Sequence, residues 1–181
     1  MLQLTIPISP EYWDDEKEVF VPPETITVEM EHSLLSISKW EERWHKAFLT
    51  KKEKTTEETI DYLRCMTITP NVDPDVWKNI NKDHVDKVYE YINDPMTATT
   101  IREMPNTKKS SEVVTAELIY HWMIAANIPL DKESWHLNKL LTLIRVCAVK
   151  SSPPKKMSNQ AILKQNAALN KARRQQHNSR G

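Results

Sequence analysis

Glycine is almost absent from this sequence of 181 residues: the single one is Gly181. Phosphate-cradling loops, dinucleotide fingerprints, nucleophile elbows and EF-hand loops all need glycine, because the backbone there takes positive φ or approaches a ligand closely. None of those motifs is present. Cysteine is nearly as scarce, with Cys65 and Cys147 each isolated among apolar neighbours. Two such residues read as reduced, buried thiols rather than as a disulfide framework or a zinc site. No run approaches the roughly 20 apolar residues that span a bilayer, and the opening residues lack the basic, apolar, small-residue order of a signal peptide. With a mean hydropathy of -0.60, the sequence predicts a protein that stays in the cytoplasm, without membrane contact.

Acidic residues are missing from the end of the chain. Basic and acidic residues number 25 each, but eight of the basic ones (Lys150, Lys155, Lys156, Lys164, Lys171, Arg173, Arg174 and Arg180) lie from position 150 onward, where no acid occurs. Residues 1–149 therefore hold 17 basic against 25 acidic residues, a net charge of -8 facing a tail of +8. Ser151-Ser152-Pro153-Pro154 reads as the linker, since proline lacks an N–H and disfavours helix before it.

The patterning predicts an α+β chain, mainly α, in three parts: an N-terminal β region (1–37), a helical body (38–150) forming one domain with it, and a basic C-terminal extension (151–181). Residues 2–8 alternate apolar and polar, with Pro7 marking an edge or an end, and the period-two pattern returns at Val19–Val21 and at Ile26, Val28 and Met30. A small antiparallel sheet of two to four strands follows from this. Ser38-x-x-Glu41 has the form of a capping box for a helix over about 39–49, with Trp40, Trp44, Ala47 and Phe48 on one side. Thr55-x-x-Glu58 opens a second helix to about Met66. Asp73-Pro74 opens a short third one, and a fourth carries Val85, Val88, Tyr89 and Ile92. Residues 96–105 read as extended and 106–110 as a polar loop. Residues 111–127 are apolar nearly all round, which predicts a buried helix. Asp131 can cap the next, with Leu137, Leu140, Leu141, Ile144 and Cys147 as its stripe, and the two form a central antiparallel hairpin. Residues 158–175 favour helix, but Ile162 and Leu169, helped by alanines, are too thin an apolar set to fold without a partner.

Little here points to chemistry. The six histidines show no HExxH spacing, and His121 and His136 read as core imidazoles of the hairpin. Glu41-Glu42 and Glu57-Glu58 read as helix-start carboxylates rather than as an acid–base pair. No catalytic residue, cofactor or metal site is expected. Of the six tryptophans, Trp122 reads as core, whereas Trp40 and Trp44 sit among charges and read either as core or as a partner face. The tail carries no aromatic residue for base stacking, so a protein partner or a second copy is favoured over nucleic acid.

Six runs carry a family resemblance: EHSLLSISKW (31–40), TIDYLRCM (59–66), DPMTAT (94–99), WHLNKLLTLI (135–144), NAALNKARR (166–174) and SRG (179–181). Together they extend over nearly the whole chain, and the sequence resembles the tail assembly chaperones of long-tailed bacteriophages of Gram-positive hosts. The resemblance implies a helical body with a C-terminal extension, often made by ribosomal frameshifting. It implies a role in coating the tape measure protein while tail tube subunits polymerise, in the host cytoplasm and not in the finished virion. On that reading the partner-binding residues are Trp40, Trp44 and Phe48 on the body, facing tape measure helices. Lys155, Lys156, Lys164, Leu169, Lys171, Arg173 and Arg174 on the extension face tail tube protein or a neighbouring copy. A structural head–tail or tail component and a nucleic-acid-binding phage protein are the alternatives.

Overall fold

The computed structural model describes residues 1–100, 112–151 and 159–177. The predicted loop at 106–110, the prolines of the linker, and Lys155 and Lys156 lie outside the described residues. The chain divides into two compact units, Met1–Ala148 and Val149–Gly181.

The first unit is α+β and mainly α. Strand β1 (Leu2–Pro7) pairs antiparallel with β4 (Thr25–Met30) in the register Leu2↔Met30, Leu4↔Val28, Ile6↔Ile26. That register places every apolar residue of the pair on one face, where Leu4, Ile6, Val28 and Met30 are fully buried. The opposite face is polar, with Thr5 and Thr27 hydroxyls 3.1 Å apart and Gln3 donating to Glu29. The far edge of β4 is covered by the chain leaving the second helix: Glu31 N donates to Met66 O and Ile68 N to Glu29 O. This covering removes an edge that would otherwise invite pairing with another chain. Strands β2 (Tyr12–Asp14) and β3 (Val19–Val21) form a separate two-stranded ribbon. The one predicted sheet is thus two sheets, and the strands end at Met30 rather than near residue 37.

Helix α1 (Leu34–Trp44) starts five residues before the predicted helix. Its capping box is Ser33 with Ser36, each side chain bonding the other's amide, and not Ser38 with Glu41. Leu34, Ile37 and Trp40 form its buried stripe. Helix α2 (Thr56–Met66) carries the predicted Thr55–Glu58 box. Asp73 caps a 3-10 turn at Pro74–Asn79. Helix α3 (Lys82–Asn93) follows, burying His84 and Val88. Tyr91, not Tyr89, turns inward; Tyr89 is 67% exposed. Residues 94–100 are irregular.

Helix α4 (Ala116–Ala125) is shorter than predicted and only half buried: Ala116, Ile119 and Met123 face the core, while His121 and Ile124 face solvent and Trp122 is partly covered. A 3-10 turn at Leu130–Ser134 takes the place of the helix start expected at Asp131. Helix α5 (Leu137–Ser151) begins after it, with His136 Nδ1 accepting from Asn138 N. The helices in closest contact are α1 and α2, with α4 packed on α1, so the centre of the core is α1 rather than an α4–α5 hairpin.

With no internal glycine, five other residues among those described take positive φ: Glu18, His45, Asn71, Met96 and Asn127. His45 (φ 51°) ends α1, its N–H donating to Glu41 O at 2.8 Å. The left-handed conformation costs a residue with a Cβ about 1–2 kcal/mol.

In the second unit, α6 (Asn159–His177) is a helix of 19 residues. Every side chain from Leu163 to Gln175 on it is exposed.

Candidate functional site: the seam between the first two helices

The aromatic residues nominated from sequence separate into two layers. Trp40 is 1% exposed, and its indole Nε1 donates to Glu58 O at 2.9 Å. Phe48 stands edge-on to Trp40 (5.2 Å between ring centroids) and lies against Tyr62 at 4.0 Å. Lys54 Nζ sits 4.2 Å from the Phe48 ring, where burial pulls its ammonium below the usual lysine range, against the opposing pull of Glu58. Trp40 and Phe48 are therefore core residues, and their assignment as partner contacts is corrected: no ligand reaches a ring sealed by α2 and Lys54.

Trp44 is different. It stacks on Trp40 (6.2 Å, 28° between planes) but stays half exposed, and its Nε1 donates to Asp61 Oδ2 at 2.9 Å. Asp61 is itself buried and takes an ion pair from Arg43. Glu58, one helical turn earlier, accepts from the Lys46 ammonium and from the backbone amide of Thr55, and these two bonds hold its carboxyl below its ordinary range. These pairs fix the Trp44 ring from α2. A groove of about 570 Å³ results, with Trp44 and Ile60 as its apolar lining and Arg43, Arg64, Thr56, Glu57 and Asp61 as its polar lining. A second hollow of about 530 Å³ adjoins it, sharing Arg43 and Arg64 and lined also by Lys39, Glu42 and Cys65. Lys39 and Arg64 form no ion pair among the described residues. The seam thus sets an apolar pair, Trp44 and Ile60, among three cations (Lys39, Arg43 and Arg64) and three carboxylates (Glu42, Glu57 and Asp61).

Sequence reasoning missed the polar centre of the core. His32 is 2% exposed, its Nδ1 lies 2.5 Å from the Tyr62 hydroxyl, and its ring meets that of His136 at 5.3 Å. Ser36 Oγ donates to Ser33 O and lies 3.3 Å from the Tyr62 hydroxyl. Desolvation, with the neighbouring His136 adding repulsion, pulls His32 down to about 3. Burial likewise pushes the Tyr62 phenol up. His136 bonds the Tyr91 carbonyl through Nε2 at 3.1 Å, and Tyr91 donates to Glu31. A neutral imidazole locked to a phenol that resists ionisation joins β4, α1, α2, α3 and α5; it is built for structure. His136 is thus a satisfied core imidazole as predicted, whereas His121 is exposed. Both cysteines are free thiols, Cys65 buried, with its pKa raised by that burial, and Cys147 half-buried.

Glu41 also departs from its predicted role. It lies in the third turn of α1, buried, with Oε1 accepting from Phe48 N and Oε2 from Ala116 N, both at 2.7 Å. On the second unit, Lys164, Leu169, Lys171, Arg173 and Arg174 all lie exposed on α6. Among the described residues no group of three or more His, Cys, Asp or Glu is placed to hold a metal ion, and no helix is long and apolar enough to cross a membrane.

Comparison with protein-family models, with curated proteins and with solved structures finds no match to this chain.

Proposed function

We propose that this protein works by holding another polypeptide, and that it is a tail assembly chaperone acting in the host cytoplasm on the phage tape measure protein. The observation that carries this reading is the apolar strip of Trp44 and Ile60 in a groove where Arg43 is paired with Asp61 and Arg64 forms no ion pair among the described residues. A helix with an apolar stripe bordered by carboxylates complements such a strip, and a tape measure protein is a long, largely helical chain with exposed apolar stripes. Many weak, repeated contacts of this kind coat a long client without chemistry. The sequence resemblance supplies the particular client. The basic extension then recruits tail tube protein or a neighbouring copy, with Lys164, Leu169, Lys171, Arg173 and Arg174 as its contact residues. No catalytic step and no cofactor enters this account.

The test is co-expression with the tape measure protein. The account predicts that the tape measure protein is soluble in the presence of this chain and aggregates in its absence. Equal solubility in both cases contradicts the reading. Mass spectrometry of purified particles separates the structural alternative, because a chaperone is missing from them.

A further inference from the structure

The ribbon formed by β2 and β3 carries large apolar side chains that the core does not use. Trp13 and Phe20 are register partners and so share one face, their rings edge to face at 4.8 Å. They are nevertheless 47% and 66% exposed, and on the other face Tyr12 and Val19 are 56% and 48% exposed. None of the four joins the hydrophobic core. The turn between its three-residue strands is held by side-chain bonds: Asp14 accepts from the amides of Glu16 and Lys17 and pairs with the Lys17 ammonium, while Glu18 takes positive φ to close the turn. An exposed, preformed aromatic pair is the kind of anchor that carries binding energy in interfaces.

Its surroundings specify the partner's charge. Residues 11–24 contain six acids and one lysine. Of the acids, Asp14 is spent on the turn, and Glu11, Asp15, Glu16 and Glu18 form no ion pair among the described residues. The complementary surface is an exposed helix with cations, small apolar residues and no acid, and α6 has that composition. Lys164 and Lys171 stand seven apart with Arg174 three further on, which puts three cations on one side of the helix beside Ala167 and Ala168. Alanines let an aromatic ring approach the helix closely, and arginine stacks on indole faces.

We propose that the protein self-associates head to tail, with α6 of one copy seated on the Trp13–Phe20 ribbon of the next. Each copy carries one of each surface, and the chain as a whole has zero net charge, so the arrangement complements itself. Such a joint is heterologous, and it propagates into chains or rings rather than stopping at a two-fold dimer. This inference does not depend on the phage role and is tested without any client.

Sedimentation velocity of the full chain is the experiment. The wild type is expected to form oligomers in low salt and to return to the 21.2 kDa monomer as salt rises towards about 1 M, where charges more than about 3 Å apart are screened. Trp13→Ser/Phe20→Ser and, separately, Lys164→Glu/Lys171→Glu/Arg173→Glu/Arg174→Glu should each be monomeric in low salt. Mixed in equal amounts they should form dimers and nothing larger, because one intact ribbon meets one intact α6. Phe20→Lys serves beside the ribbon double variant, with circular dichroism confirming that each variant is folded. A wild type that stays monomeric in low salt at about 0.1 mM, well above the micromolar range of ordinary specific interfaces, overturns the proposal, and so does fold-back of α6 onto its own ribbon, which leaves every sample monomeric. Variants that oligomerise like the wild type, or a mixture that stays monomeric, overturn it equally.

Discussion

Glu41 in the third turn of α1 caps a helix that begins 75 positions later: its Oε2 accepts the Ala116 amide at 2.7 Å, at the first residue of α4. Thr115, the residue in the cap position, makes no side-chain capping bond of its own. The other oxygen of Glu41 takes the Phe48 amide. One buried carboxylate thus ties α4 and the chain after α1 to the centre of the core. Glu41→Gln keeps the size but offers one acceptor oxygen in place of two, so one buried amide faces an N–H. The expected loss is about 1–3 kcal/mol, read as a lower urea midpoint with an unchanged slope, with hydrogen exchange accelerated at Ala116 or Phe48.

His32 predicts how stability depends on pH. It is pulled from 6.5 to about 3 in the folded chain, so between those values the unfolded chain binds the extra proton. Stability from this residue is fully present above about pH 6.5 and is lost as pH falls toward 3, with a slope approaching 1.4 kcal/mol per pH unit. Urea melts of the wild type and His32→Gln across pH 4–7 check this. The variant is less stable at neutral pH, where it loses the fit to Tyr62, and its stability falls less steeply with acid. Parallel pH profiles count against a buried neutral imidazole.

His45→Gly should stabilise the protein. His45 ends α1 at φ 51°, a conformation that glycine adopts without a Cβ clash, and its side chain is exposed. The gain expected is about 0.5–1 kcal/mol net of the added unfolded-chain entropy. A thermal melt shifted upward by a few degrees is the predicted reading, and a downward shift contradicts the strain argument.

Deleting residues 153–181 separates the two surfaces. The first unit keeps the Trp44 strip, so the truncated chain should still solubilise the tape measure protein while failing to support tail assembly in infected cells. Loss of both functions together contradicts the division of labour.

The legible parts of the fold were those whose signals are local. Thr55-x-x-Glu58 placed α2 because both partners of that box lie within one turn. The alternation at Leu2, Leu4 and Ile6 gave β1 its buried face for the same reason. The start of α1 was misplaced because Ser33 is boxed by another serine, Ser36, a weaker signal than the Ser38-x-x-Glu41 spelling nearby. The β region was also bounded at residue 37, which took in Leu34 and Leu35. What stayed hidden depends on distant neighbours. Trp40 and Phe48 are sealed by Glu58, Tyr62 and Lys54, whereas Trp44 stays half exposed, held by Asp61. His32 and His136 meet only because Leu137 N donates to His32 O, 2.7 Å across two elements far apart in sequence, and no spacing rule announces that. Of the ribbon, only Val19–Val21 was legible as a strand; Tyr12–Asp14 is too short for its alternation to register, and nothing in the pattern tells whether Phe20 is covered.

The most direct test of the central claim places a charge in the groove and asks whether the client is still held. Arg64→Glu combined with Ile60→Ser alters the polar and apolar lining of the seam while leaving Trp40, Phe48 and the His32 cluster in place; its folding is verified by its melt. The account predicts that tape measure protein co-purifies with the wild type and that its recovery drops by roughly tenfold or more with the variant, the loss of about 1.4 kcal/mol or more from one interface. Recovery equal to the wild type from a folded variant contradicts the claim that this seam holds another polypeptide.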